Sequence, residues 1–223
     1  MTEQFIFGVD LDGVCGDYTL AFRAVAAEYL GVPEHELPLE RSWDFHEWGF
    51  GEGDYENVHR LAVLEHRILR DLPVIDGAAD ALWRLSDAGI WIRIITHRLY
   101  VHWSHAVAIT DTVEWLDHAR IPYRDLCFLG AKPEVEADAY IDDGPHNVIA
   151  LRARGSDVIV FDQPYNRDLA GPRARTWAEA EELVYEFAAR GREGVQIQLP
   201  GFDVGAERIE RNRASATPPL SPL

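Results

Sequence analysis

Two aspartates two positions apart, Asp10 and Asp12, follow the apolar stretch Phe5-Ile-Phe-Gly-Val and run into Gly13. A loop after Asp10 can swing Asp12 back beside it. One carboxylate can then attack as a nucleophile while the other trades a proton with the leaving oxygen. A carboxylate approaching a dianionic phosphate is repelled, and a divalent cation with a fixed ammonium would offset that repulsion. The chain supplies both parts in order. Thr96 closes a second apolar run and can donate its hydroxyl to a phosphate oxygen. Lys132 is the single lysine against 20 arginines. Lysine's compact charge and arginine's planar fork are not interchangeable, so this position calls for the compact one. Asp142 and Asp143, ten residues further on, are hard oxygen ligands suited to Mg²⁺. The set reads as a phosphate-handling site with a metal, where catalysis is mostly positioning and charge neutralisation.

The elements that must position these groups follow from hydrophobic periodicity. Residues 5–10 predict a buried strand, and 18–30 a helix stopped by Gly31-Val-Pro33. From 33 to about 71 the strand–helix rhythm is lost. Trp43, Phe45, Trp48, Phe50 and Tyr55 crowd among Gly, Asp, Glu and His before a helix over 58–69, as in an insertion. Alternation then resumes, with helices at 77–88, 103–119, 145–154 and 176–190. Strands are expected at 90–95, 126–129, 139–141 and 157–161. This pattern predicts an α/β, doubly wound parallel sheet whose ligands bind beyond the carboxyl ends of the strands. Asp10, Thr96, Lys132 and Asp142-Asp143 all fall there. The division expected is a core of 1–17 and 73–190, an inserted helical unit over 18–72, and a loose tail over 191–223.

Composition narrows the partners. With 47% apolar and 26% charged residues the chain is an ordinary globular protein. A net charge of −17 argues against nucleic-acid polymers and anionic membranes, which demand basic surface. A small phosphate ester is still compatible, since a metal and a few cations dominate one pocket. Two cysteines, Cys15 and Cys127, make no disulfide framework. The absence of a signal-like segment or a long apolar run points to a cytoplasmic protein. Homodimerisation is an expectation on general grounds only.

Several residues have a plainer reading beside the chemical one. Asp-x-Asp-Gly also occurs in calcium loops, but no glutamate stands twelve positions on to serve as the bidentate ligand. Trp43, Phe45 and Trp48 could be a small core of the insertion or could stack on a nucleobase. His97, His102 and His105 match no zinc spacing, and His97 is placed near the substrate. Cys15 reads as a small buried filler. Tyr165-Asn166-Arg167 reads as turn chemistry, with a substrate contact by Arg167 as the alternative.

Asp10-Leu-Asp-Gly-Val14, Thr96, Lys132 and Ile141-Asp-Asp143 resemble the four motifs of the haloacid dehalogenase superfamily, phosphatase branch. Three further stretches narrow this. The aromatic insertion, Lys132-Pro-Glu-Val-Glu-Ala-Asp-Ala-Tyr-Ile-Asp-Asp, and Phe161-Asp-Gln-Pro-Tyr-Asn-Arg167 with Trp177 resemble the 5′(3′)-deoxyribonucleotidase family, over about 5–187. The resemblance implies a haloacid dehalogenase-like core with a small helical cap, inserted after the first strand, that closes over substrate. It implies Asp10 as the nucleophile that becomes an aspartyl-phosphate and Asp12 as general acid/base. Thr96, His97 and Lys132 would hold the phosphoryl group. Mg²⁺ would be held by Asp10, the Asp12 backbone carbonyl and Asp143, with Asp142 nearby. Trp43, Phe45 and Trp48 would face the substrate. One position departs from that family: a small hydroxyl residue is expected after the threonine, and here His97-Arg98 follows. The implied substrate is a nucleoside 5′-monophosphate. The alternatives are another small phosphorylated metabolite, such as a sugar phosphate or phosphoglycolate, or a non-catalytic module binding a phosphorylated ligand.

Overall fold

The computed structural model describes residues 4–99 and 104–190. His102 and the expected tail over 191–223 lie outside the described residues. Six strands form one parallel sheet: β1 (Ile6–Val9), β2 (Trp91–Thr96), β3 (Asp125–Phe128), β4 (Ala139–Asp142), β5 (Asp157–Phe161) and β6 (Arg173–Ala174). Their order is β3-β2-β1-β4-β5-β6. The helices are α1 (Tyr18–Leu30), α2 (Asp54–Leu64), α3 (Ile68–Asp71), α4 (Ala78–Asp87), α5 (His105–Ala119), α6 (Pro145–Ala153) and α7 (Trp177–Arg190).

The strands are near-continuous apolar runs because helices cover both faces of the sheet. Successive residues point to opposite faces. Ile141 and Ile159 therefore join the larger core with Phe7 and Val9, while Tyr140, Val158 and Val160 join a smaller one with Val148 and Leu151 of α6. Connections run outward in both directions from β1, so the order of the chain reverses between β1 and β4. Such a switch point opens a crevice at the carboxyl ends of the strands. Val9 is paired with Ile94 on one side and Ile141 on the other. That register forces Asp10, Thr96 and Asp142-Asp143 to one edge, and the Asp10 amide donates to the Ile141 carbonyl at 3.1 Å.

Between β1 and α4 the chain builds the inserted helices. Asp17 caps α1 by accepting from the Leu20 amide at 2.9 Å, and α1 buries Phe22, Val25, Ala26 and Ala27. Phe22 is the hub of an aromatic cluster, with ring centroids 5.3 Å from Phe45, 5.9 Å from Trp48 and 5.8 Å from Tyr55. Phe22, Phe45 and Trp48 belong to the same continuous core as Phe7 and Val9.

Two elements differ from expectation. The single helix predicted over 58–69 is two, α2 and α3, because Arg67 takes a left-handed conformation with φ of 54°. A non-glycine residue there costs about 1–2 kcal/mol. A bidentate pair with the fully buried Asp111 of α5 offsets it, Arg67 Nε lying 2.7 Å from Oδ2. The second difference is β6, a two-residue edge strand with no apolar run to announce it. It is pinned where Asp162 N donates to Ala174 O at 2.8 Å.

Candidate active site

The site forms around one buried ammonium. Lys132 opens a short turn after β3, and its side chain is only 2% exposed. Its Nζ lies 2.7 Å from Asp10 Oδ1 and 2.6 Å from Asp142 Oδ2. Burial by itself would lower the lysine's pKa. The carboxylates of Asp10 and Asp142 outweigh that and hold it above its ordinary value. Asp142 is engaged by protein donors on both oxygens, since its Oδ1 also accepts from the Gly144 amide at 2.8 Å and Asn147 Nδ2 at 3.1 Å.

Asp10, Asp142 and Asp143 each offer a carboxylate oxygen within 4.8 Å of the others. Among the described residues this is the one such cluster of His, Cys, Asp or Glu. Burial first, then Asp142 and Asp12, push Asp10 up to about 7. Burial first, then Asp10 and Asp142, hold Asp143 well above the usual carboxylate range. Hard oxygen donors crowded at this cost are suited to a divalent cation.

Asp143 is oriented from the far side of the crevice. The hydroxyl of Tyr165 donates to its Oδ2, and Asn166 Nδ2 donates to its carbonyl at 2.8 Å. Gln163 Nε2 donates to the Gly13 carbonyl at 2.7 Å. The Gln163–Asn166 segment is therefore more than a turn: it braces the loops that follow β1 and β4. Gly13 has φ of +79°, and a Cβ there would collide with the Asp143 carboxylate and come 2.9 Å from the Tyr165 hydroxyl.

Asp12 faces the same space and receives Arg98, whose Nη2 lies 2.7 Å from Oδ1 and Nε 3.0 Å from Oδ2. Thr96 is fully buried at the end of β2. It accepts from the Arg98 amide at 3.3 Å through Oγ1, which leaves its own O–H to donate. The Cys15 thiol donates to the Asp10 carbonyl at 3.3 Å. Burial, then Asp10, hold that thiol well above its ordinary range, which fits a filler and not a nucleophile.

Of these groups, Asp10, Asp12, Gly13, Arg98, Asp143 and Tyr165 border a cavity of about 860 Å³, a size suited to a small organic ligand. Asp10, Asp12, His97 and Asp143 border it, and so do Trp43, Phe45 and Tyr55. His97 Nε2 is buried without a partner. Burial, then Lys132, hold its imidazole below the ordinary histidine range. Trp43 is 45% exposed, packed edge-on against Tyr165 at 5.3 Å. Trp48 is placed elsewhere: it is 4% exposed, does not border the cavity, and donates through Nε1 to the Pro38 carbonyl at 2.8 Å. Its facing corrects the expectation of a substrate contact, because the ring completes the Phe22 cluster. Phe45 shows both readings at once, being buried in that cluster and bordering the cavity. Arg167 reaches Glu40 at 2.7 Å and does not border the cavity.

Three contributors escaped the sequence reading. Tyr165 stands in the sequence as part of a turn, with nothing beside it to mark a bond to Asp143. Arg41, whose guanidinium lies 3.7 Å from the Phe45 ring centroid and 4.3 Å from that of Tyr165, was not singled out. Nor was Arg98 given a role. Its signal was its place two residues past the end of β2, as Asp12 stands two past Asp10.

Solved structures share this architecture. A haloacid dehalogenase-like family hydrolase from Streptococcus pneumoniae matches with a TM-score of 0.56 at 15% identity, over 83% of this chain and 100% of that one. The fold is that of the haloacid dehalogenase-like hydrolases. The family described as 5′ nucleotidase, deoxy (Pyrimidine), cytosolic type C protein matches residues 4–191, and the chain belongs to that family. A protein of Chlorobaculum tepidum named "Putative 5′(3′)-deoxyribonucleotidase" is 44% identical over 186 residues, 83% of this chain and 92% of the relative. A 5′(3′)-deoxyribonucleotidase of Bacillus subtilis is 25% identical over 179 residues, 79% of this chain and 96% of that protein. The chain is thus a phosphatase of the 5′-nucleotidase kind.

Proposed function

We propose that this protein is a Mg²⁺-dependent phosphomonoesterase hydrolysing nucleoside 5′-monophosphates, deoxyribonucleotides foremost, through an aspartyl-phosphate. One observation carries the reading. Asp10, held by Lys132 at 2.7 Å, borders together with Asp12 the same cavity as Trp43, Phe45 and Tyr55. Carboxylates that can transfer a phosphoryl group and aromatic faces that can receive a base thus line one space.

Lys132 holds Asp10 Oδ1, which leaves Oδ2 to attack phosphorus. As that P–O bond forms, the ester P–O bond breaks and its electron pair departs on the 5′ oxygen, which takes a proton from Asp12. In the second half, water attacks phosphorus and gives a proton to Asp12. The bond to Asp10 breaks, inorganic phosphate leaves, and Asp10 is again a carboxylate and Asp12 again a carboxylic acid. Lys132, the Thr96 hydroxyl and His97 hold the phosphoryl oxygens. Mg²⁺ would be held by Asp10, Asp143 and the Asp12 carbonyl, where it supplies charge neutralisation for the approaching anions. Asp142, which already accepts from Lys132, Gly144 and Asn147, would stand beside the ion. Residues 18–72 serve as the cap, and the exposed face of Trp43 receives the base.

The test is Mg²⁺-dependent phosphate release across nucleoside 5′- and 3′-monophosphates, with sugar phosphates alongside and Asp10→Asn as control. Preference for nucleotides, lost in the variant, is expected. Release from sugar phosphates alone would replace the substrate while keeping the chemistry. No release from any would leave a module that binds a phosphorylated ligand.

A further inference from the structure

We propose that Arg98 is the positioning residue for Asp12, fixing its carboxylate where it exchanges a proton with the leaving and attacking oxygens. The inference rests on the phosphoryl-transfer reading above and extends it to a residue outside the four motifs.

Arg98 is held from several directions. Its backbone amide donates to Thr96 Oγ1 at 3.3 Å. Its Nη1 donates to Thr112 Oγ1 of α5 at 3.3 Å, and that hydroxyl donates in turn to the Ala108 carbonyl at 2.6 Å. The guanidinium carbon lies 5.1 Å over the ring of Trp115, which is itself fixed by donation to the Leu72 carbonyl at 2.8 Å. The remaining edge of the guanidinium, Nε and Nη2, meets both oxygens of Asp12. A planar fork on a carboxylate fixes its rotation as well as its distance. Each oxygen still keeps a lone pair for the cavity.

The distribution of burial separates this pair from a purely structural one. In Arg67–Asp111 the carboxylate is sealed at 0% and the guanidinium reaches solvent at 33%. In Arg98–Asp12 the order is inverted: the guanidinium is 1% exposed and the carboxylate 28%, facing the cavity. A rigid buried cation here presents a carboxylate to whatever occupies the site.

The test compares Arg98→Lys and Arg98→Met with Asp12→Asn, by rapid mixing with a deoxynucleoside 5′-monophosphate and with 2,4-dinitrophenyl phosphate. Dinitrophenolate leaves without a proton, so phosphorylation of Asp10 by that ester needs no acid. Both Arg98 variants are expected to lose about 100-fold in the single-turnover rate on the nucleotide, within the range for a positioned acid or base. Their KM should stay within about threefold, while the dinitrophenolate burst keeps close to the parent rate and the steady state that follows slows. Arg98→Lys should recover part of the loss. Adding Arg98→Met to Asp12→Asn should cost nothing further, because residues acting as a unit are not additive.

Equal losses on both esters, a rise in KM alone, or an additive double variant would overturn the proposal in favour of a phosphate contact or a folding role. Parent-like nucleotide turnover in both Arg98 variants would overturn it outright. A burst, or nucleotide turnover, that survives Asp10→Asn removes the underlying mechanism, and the role of Arg98 falls with it.

Discussion

The ammonium of Lys132 lies 2.7 Å from Asp10 Oδ1 with almost no solvent around it. Asp142 approaches the same nitrogen from its other side at 2.6 Å. Removing this lysine would leave two carboxylates facing one another in a buried space. Breaking such a pair typically costs about 3–5 kcal/mol. Lys132→Met should lose stability of that order in chelator, measured by denaturant titration, and should have no detectable turnover. A stability loss under 1 kcal/mol would show that the pair is dispensable to the fold.

The metal-free protein should lose stability as pH rises toward neutrality. Asp10 titrates at about 7 in the fold against 3.8 for the free side chain, so the folded state binds the proton more tightly. Stability from this group is greatest below about pH 4, declines through pH 7, and is level above it. A divalent cation competes for the same carboxylate. Thermal melts should therefore show a larger rise in Tm on adding Mg²⁺ at pH 8 than at pH 5. A rise that is equal at both would dissociate the cation from Asp10.

Gly13→Ala should inactivate more than it unfolds. Its φ of +79° and the contact with Asp143 leave no place for a methyl group. The left-handed conformation costs about 1–2 kcal/mol, and relief of the collision would displace Asp143. Activity should fall at least about 100-fold while Tm drops by several degrees. An active alanine variant would contradict the close approach.

Trp43 and Trp48 should separate cleanly. Trp48 is 4% exposed among Phe22, Phe45 and Phe50, so Trp48→Ala should cost about 3–5 kcal/mol. Trp43 is 45% exposed at the cavity. Trp43→Ala should leave Tm nearly unchanged while raising KM for nucleotides more than for p-nitrophenyl phosphate. Equal effects on the two esters would assign Trp43 to packing.

Tyr165→Phe removes the hydroxyl donated to Asp143. Groups that orient metal ligands are typically worth 10–100-fold in affinity. The Mg²⁺ concentration giving half-maximal activity should rise by about tenfold with a smaller change in the maximum. No change in metal requirement would exclude Asp143 as a ligand.

The parts legible in sequence were those whose position follows from strand ends. Asp10, Thr96 and Asp142-Asp143 each close an apolar run, and parallel register between β1, β2 and β4 leaves them one place to go. Arg98 and Tyr165 were not legible as partners because their bonds to Asp12 and Asp143 span 86 and 22 residues with no local pattern. Trp43 and Trp48 lie in a segment without a period, so nothing in the chain announces that one faces the cavity and the other the core. The break between α2 and α3 depends on Asp111, far along the chain, and β6 is too short to show a pattern.

Phe22, Phe45 and Trp48 share one unbroken core with Phe7 and Val9. The inserted helices are consequently tied to the core by shared apolar packing. Swinging them away from the sheet would strip apolar surface from both at once, at about 25 cal/mol for each square ångström uncovered.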